Sequence, residues 1–250
     1  MAADSMTAPA LAVNVKGKGR HYEHPETGEL VPSVTNIIGV LDKPALPRWA
    51  AKLVAERAWD LRASLENMDR DEAIDILKGS PWRNSTRAAD RGTSIHEYLQ
   101  AVAEGAPVPE LEGDALRYRE AADTFLKAYE PVFELTEFTV FGDGYAGTAD
   151  FMADIAGRSL IGDYKTSKAL YPEIALQLAA IRHADWLVTP DGLQPMPEVE
   201  GCIGVLLTPD GCDVREVDTG GAYEAFLGCL RAWHWKQAGV DMAPVLWRTA

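Results

Sequence analysis

The sequence predicts a mixed α/β (α+β) protein: a central mixed β-sheet with helices on its flanks. Three observations lead there. Residues Val132 to Phe141 form a run rich in β-branched and aromatic side chains, closed by the turn composition Gly142-Asp143-Gly144. Two further strand-like runs fold back on each other at Ala156-Gly157, so three consecutive strands meet. Helical periodicity brackets them. Asp114 to Tyr129 carries Leu116, Ala121, Phe125 and Ala128 on one side, and a helix opened by Pro172 directs Ile174, Leu178, Ile181 and Trp186 inward. A chain of 250 residues, 47% hydrophobic and 25% charged, is large enough to bury one substantial core.

Along the chain, Leu11 to Val31 reads as a small hairpin around Pro25-Glu26-Thr27-Gly28, with His21 and His24 solvated on it. Ser33 or Thr35 caps a short helix through Leu41. Pro47 fits the first turn of a longer helix with Trp49, Leu53, Ala58 and Leu61 on its apolar side. Core packing is the expectation for Trp49, Trp59 and Trp82, base stacking the alternative. Asp69 or Asp71 caps another short helix, stopped by Gly79-Ser80-Pro81 with Lys78 in its last turn. From about Ser85 runs a long helix. Arg83, Arg87 and Arg91 recur there every four residues, a stripe that either reaches phosphates or is simply solvated. His96 follows on that helix, on the side of Gly92 and Leu99. After the Pro172 helix come a buried strand, Gly201 to Leu207, another at Val214 to Val217, and a closing helix, Ala222 to Gln237. Residues 1–83 thus form an N-terminal hairpin and helical lid, and 84–250 the core on which it packs, one structural domain in all.

The chemistry concentrates in the fold-back. A turn at Ala156-Gly157 pairs Ile155 with Arg158 and, counting outward, Asp150 with Asp163 and Thr148 with Lys165. Side chains alternate along a strand, so Asp163 and Lys165 share a face with Asp150. Directly opposed carboxylates destabilise a sheet. A divalent cation removes the conflict, and hard oxygen ligands suit Mg²⁺ or Mn²⁺. Glu137, in the first of the three strands, is either a further acidic group at this place or a surface strand residue.

Read in order, Arg91-Gly92-Thr93-Ser94-Ile95-His96, then Gly147-Thr148-Ala149-Asp150, then Asp163-Tyr164-Lys165, then Gln177 resemble the PD-(D/E)XK nuclease superfamily. The nearer resemblance is to its RecB-like and bacteriophage recombination exonuclease branch. It covers roughly residues 84–207, and softer similarity extends over Pro32 to Lys52. Position 181 is Ile where the family pattern has Tyr, four residues after the Gln. The resemblance implies a restriction-endonuclease-like αβββαβ core. It also implies a metal-dependent DNA exonuclease hydrolysing linear DNA in phage recombination or DNA processing, beside a single-strand annealing protein. Mg²⁺ or Mn²⁺ would be held by His96, Asp150, Asp163 and the Tyr164 carbonyl. Asp150, Asp163, Lys165 and Gln177 would be catalytic, with Lys165 beside the attacking water, and Arg83, Arg87 and Arg91 would contact DNA. The contrasting expectation is a non-catalytic DNA-end-binding or protein-interaction module that keeps the nuclease fold; intact Asp150, Asp163 and Lys165 weigh against it.

Composition bounds these expectations. A net charge of −14 is unusual for a DNA-binding protein, but acidic residues such as Glu66, Asp69, Asp71 and Glu72 fall in helices away from the motif. Cys202, Cys212 and Cys229 are too few and wrongly spaced for a four-thiolate cluster, so no iron–sulfur cluster is expected. The start, Met1 to Met6, has no basic-then-apolar leader, and no run is long enough to span a membrane, which points to a cytoplasmic protein with no membrane partner, in the host cytoplasm if phage-encoded. Gly157 to Gly162 opens like a phosphate-binding loop, but Asp163-Tyr164 delays Lys165-Thr166 by two residues, which removes an ATPase reading.

Overall fold

The computed structural model describes residues 11–239, and these begin with a small antiparallel sheet of β1 (Ala12–Val15), β2 (Gly19–Glu23) and β3 (Leu30–Pro32). The sequence-expected start at residues 1–6 lies outside the described residues. Six helices follow: α1 (Val34–Ile38), α2 (Ala45–Leu65), α3 (Arg70–Lys78), α4 (Ser80–Glu104), α5 (Gly113–Leu116) and α6 (Arg119–Tyr129). Then come β4 (Val132–Gly142), β5 (Tyr145–Ile155), β6 (Arg158–Lys165), α7 (Glu173–Arg182), β7 (Trp186–Thr189), β8 (Gly192–Pro195), β9 (Gly201–Thr208), β10 (Gly211–Glu216) and α8 (Ala222–Ala238).

The large sheet has seven strands in the order β10-β9-β6-β5-β4-β7-β8. Its pairs are antiparallel except β6 with β9, which run parallel and therefore need the crossover that α7 supplies. Helices cover both faces. On one, α1, α7 and α8 bury Ile37, Leu178, Ile181, Phe226 and Trp233 against Val140, Tyr145 and Met152. On the other, α4, α5 and α6 bury Ile95, Leu99, Ala115 and Phe125 against Phe151, Leu160 and Val205. At about 25 cal/mol per Å² of apolar surface removed from water, these two layers are the main source of stability. No helix of the described residues is long and apolar enough to cross a membrane. Cys202 and Cys229 pack in the first layer and Cys212 against the second, so the sheet lies between them.

Several local expectations hold for the reasons given. Asp69 caps α3, accepting from the backbone N–H groups of Asp71 and Glu72, and Ser33 caps α1 by accepting from Asn36. Others need correction. The expected single helix from Asp114 to Tyr129 is broken at Arg117-Tyr118, where Ala115 turns into the core while Leu116 and Ala128 stay exposed. Trp186 lies in β7 rather than on the preceding helix, which ends at Arg182; β7 and β8 have no counterpart among the sequence-predicted elements. The long helix starts at Ser80, directly after α3, so positions 83 and 84 lie within one helix. Core packing fails for Trp59 and Trp82, which are 70% and 77% exposed: Trp59 stands on α2, which contributes no buried residue, and Trp82 stands in the first turn of α4, whose buried residues begin only at Ile95. His21 is buried rather than solvated, its ring against Trp233 and its Nδ1 3.0 Å from the Gly19 carbonyl oxygen.

Candidate metal centre

Two turns align the site. At Ala156-Gly157 both residues have positive φ, 55° and 82°, as a two-residue hairpin turn matched to strand twist requires. The resulting β5–β6 register runs from Ile155↔Arg158 to Phe151↔Gly162, so the next pair outward is Asp150 with Asp163. The turn at Asp143-Gly144 pairs Gly142 with Tyr145, and its register carries outward through Phe138↔Ala149 and Thr136↔Phe151. Between those two pairs stand Glu137 and Asp150. Three carboxylates therefore lie in a row across β4, β5 and β6.

The row is also where the sheet is irregular. Ala149 packs in the α1/α7/α8 layer and Phe151, two residues on, in the opposite one, although residues two apart in a regular strand share a face. In β4, Leu135 and Phe138 both pack toward the first layer, an odd spacing that the same step explains, and Glu137 there holds φ at 44°. Opposed residues are thus stepped out of the pleat together, a bulge-like device that re-aims side chains. The cost is a left-handed residue with a side chain, about 1–2 kcal/mol. Beyond this level β5 and β6 part. The Tyr164 N–H donates to Asp150 Oδ2 at 2.5 Å instead of to a backbone carbonyl of β5.

Two glycines keep the neighbourhood close-packed. A Cβ on Gly162 would sit 1.8 Å from the Phe151 ring, which covers that glycine and stacks on Tyr164 at 4.7 Å. A Cβ on Gly147 would meet Ile181 Cδ1 at 2.7 Å and Val34 Cγ2 at 2.9 Å. Ile181 is accordingly a core residue, 1% exposed, rather than a group in the cleft.

His96 reaches the row from α4. Its Nδ1 lies 3.4 Å from Asp150 Oδ1 and 3.8 Å from Glu137 Oε1, and its Nε2 is 3.2 Å from the Tyr164 carbonyl oxygen. Burial works against a charge on this imidazole, but hydrogen bonds to Asp150 and Glu137 and their field outweigh it and raise the pKa to about 10. Ligand atoms of His96, Glu137 and Asp150 all lie within 4.8 Å of one another, an arrangement that could hold a cation. Asp163, buried, is turned from this group toward α7. Gln177 Nε2 donates to its Oδ1 at 2.7 Å, and Lys165 forms an ion pair with its Oδ2. Lys165 Nζ also donates to Gln177 Oε1 at 3.5 Å. Burial first, then the Asp150 charge, pushes the Asp163 carboxyl up to about 6, with Lys165 pulling it down.

These residues open into a cleft of about 570 Å³. Its walls include Thr93, His96 and Gln100 of α4, Tyr22 of β2, and Ser33 and Thr35 at the start of α1. The N-terminal sheet is tied to the site: Tyr22 Oη is 2.8 Å from Thr148 Oγ1, and Arg20 lies over the Tyr22 ring at 5.1 Å. Arg83, Arg87 and Arg91 do not line the cleft. At 100° per residue, Arg87 lies on the opposite side of α4 from His96, and the other two lie near it. Arg83 folds back onto the Ile76 carbonyl at the end of α3, Arg87 is exposed, and Arg91 donates to the Thr166 carbonyl at 3.2 Å with its guanidinium over Tyr118.

The structure brings together Asp150, Asp163, Lys165, Gln177, His96 and Tyr164, all expected at the site, and adds Glu137, which the sequence reading leaves between two roles. The signal that finds Glu137 is a two-residue turn at Asp143-Gly144, which counted outward places it opposite Asp150. Compared with protein-family models the chain matches none, and no curated protein sequence matches it significantly.

Proposed function

We propose that the chain is a divalent-metal-dependent deoxyribonuclease with a restriction-endonuclease-like αβββαβ core, acting as an exonuclease on linear DNA. The observation that carries this reading is the row Glu137, Asp150 and Asp163 across three adjacent strands, with His96 over it and Lys165 beside it, at the floor of a cleft. The succession α4, then β4, β5 and β6, then α7 and β9 supports the core assignment. A single-strand annealing protein as partner and a setting in phage recombination rest on the family resemblance alone.

The donor set fits a hard cation. His96, Glu137 and Asp150 would hold Mg²⁺ or Mn²⁺, with the Tyr164 carbonyl beside them as a further oxygen donor, while Asp163, bonded to Gln177 and paired with Lys165, would have to turn to join them. When bound, the ion supplies positive charge to the phosphate and lowers the pKa of a water. His96, its pKa raised by Asp150 and Glu137, would have to give up its proton before a ring nitrogen could hold the ion, so metal affinity would rise with pH.

Lys165 supplies a positive charge of the protein's own. Its side chain is 33% exposed, enough for the ammonium to meet a water or a phosphate oxygen in the cleft, while Asp163 and Gln177 fix where it points. Charge that develops on the phosphate during hydrolysis is stabilised by an ammonium already in place. Gln177, bonded to both Asp163 and Lys165, is a positioning residue. Arg87, exposed on the far side of α4 from His96, would meet DNA only outside the cleft.

Lys165→Ala tests the division of labour. The variant should lose turnover on linear DNA yet keep the wild-type rise in melting temperature with Mn²⁺, because Lys165 stands at the water rather than among the cation's ligands. Loss of the Mn²⁺ effect, or retained turnover, would contradict the assignment.

A further inference from the structure

The face of α4 that delivers His96 continues well beyond the cleft. At 100° per residue, Trp82, Thr86, Ala89, Thr93, His96 and Gln100 fall within about 40° of one line along the helix. The last three line the cleft. Trp82 stands on the same line about four turns, roughly 21 Å, before His96, and it is 77% exposed. Between them the face is low: Thr86 and Ala89 are small and exposed. An isolated surface tryptophan needs no explanation. One that ends a flat track leading out of a cleft does.

Charge decides what would lie on that track. The chain carries −14, and at 100° per residue the arginines of α4 lie about 100° or more from that line. α4 carries no lysine and none of its arginines stands on that track, so this helix offers a strand leaving the cleft along it no phosphate contact there. Stacking on an aromatic ring needs no charge, and only an unpaired base offers its face to one. We propose that Trp82 is a stacking platform for an unpaired base, several nucleotides from the reacting phosphate, and that the substrate strand is single-stranded along α4. This deepens the deoxyribonuclease reading and rests on it. The distance corresponds to about six stacked steps of 3.4 Å, fewer for a stretched strand.

Binding without turnover tests it. The wild type, Trp82→Ala and Trp82→Phe are compared in EDTA by fluorescence anisotropy. The probes are a labelled oligothymidylate long enough to span His96 to Trp82, one too short to do so, and a blunt duplex. Trp82→Ala should weaken the long strand about fivefold or more, Trp82→Phe far less, and neither should change the short strand or the duplex. Equal binding of the long strand by wild type and Trp82→Ala overturns the proposal, as does a wild type that binds no single strand, or an equal loss for short and long. The nuclease reading fails separately: a protein that binds long strands through Trp82 but never cuts DNA overturns that reading and leaves the platform in place.

Discussion

Replacing Glu137 separates two properties of one residue. Its backbone is left-handed, φ 44°, and its carboxylate belongs to the group with His96 and Asp150. Glu137→Ala removes the carboxylate but keeps a Cβ in that conformation, whereas Glu137→Gly removes both. The left-handed conformation costs a non-glycine residue about 1–2 kcal/mol. Glycine in a strand ordinarily loses about 0.5–1 kcal/mol to alanine through chain entropy. The glycine variant should therefore match the alanine variant or exceed it by up to about 1.5 kcal/mol, roughly 3–6 °C in melting temperature for a chain of this size. The cation effect is separate. Both variants lose one donor group, and a tenfold weaker Kd removes about 1.4 kcal/mol of the stabilisation by saturating Mn²⁺, about 3–6 °C. Thermal melts by circular dichroism, in EDTA and in excess Mn²⁺, read both. A glycine variant less stable than alanine would refute the strain argument, and an undiminished Mn²⁺ rise in both variants would remove Glu137 from the cation site.

Two more expectations follow from packing and burial. Gly147→Ala should destabilise by about 1–3 kcal/mol through overpacking, and adding Ile181→Val, which removes the Cδ1 that the new methyl meets, should restore part of it in chemical denaturation; no recovery would mean that Val34 or the backbone sets the cost. Asp163, with its carboxyl pushed up to about 6, holds a proton more tightly folded than unfolded, so its contribution to stability is fullest at low pH and is lost as pH rises through about 6. In EDTA the wild type should thus lose stability relative to Asp163→Asn between about pH 4 and pH 7, and a difference that stays flat would show that this carboxyl titrates normally.

Legibility in the sequence depends on whether the cause of a feature is local. The turn at Ala156-Gly157 is a two-residue signal that fixes a register, and the level of Asp150 with Asp163 follows from it by counting residues; the expected pairing of Thr148 with Lys165 and the shared face do not, because the pairing ends at Phe151↔Gly162, Asp163 turns to Gln177 and Asp150 meets His96. The caps of α1 and α3 and the span of α8 are legible for the same reason. Features set by tertiary partners are not. His21 is buried because Trp233 of the distant α8 covers it. Trp59 and Trp82 are exposed because α2 and the first turns of α4 lie outside both core layers, which periodicity within a helix cannot reveal. The arginine stripe is real as a spacing, but spacing alone does not give its angular offset from His96 on the same helix. Glu137 is intermediate, since its register is countable and its outward step is not.

The central claim is that the carboxylate row works with a divalent cation on the phosphodiester bonds of DNA from its ends. Incubating the purified protein with linear and covalently closed circular forms of the same DNA, in Mg²⁺, Mn²⁺ or EDTA, tests it most directly. Linear DNA should be degraded to nucleotides with Mg²⁺ or Mn²⁺ and left intact in EDTA, while the circle persists throughout. Degradation in EDTA, or no degradation of linear DNA with either ion, would contradict the account.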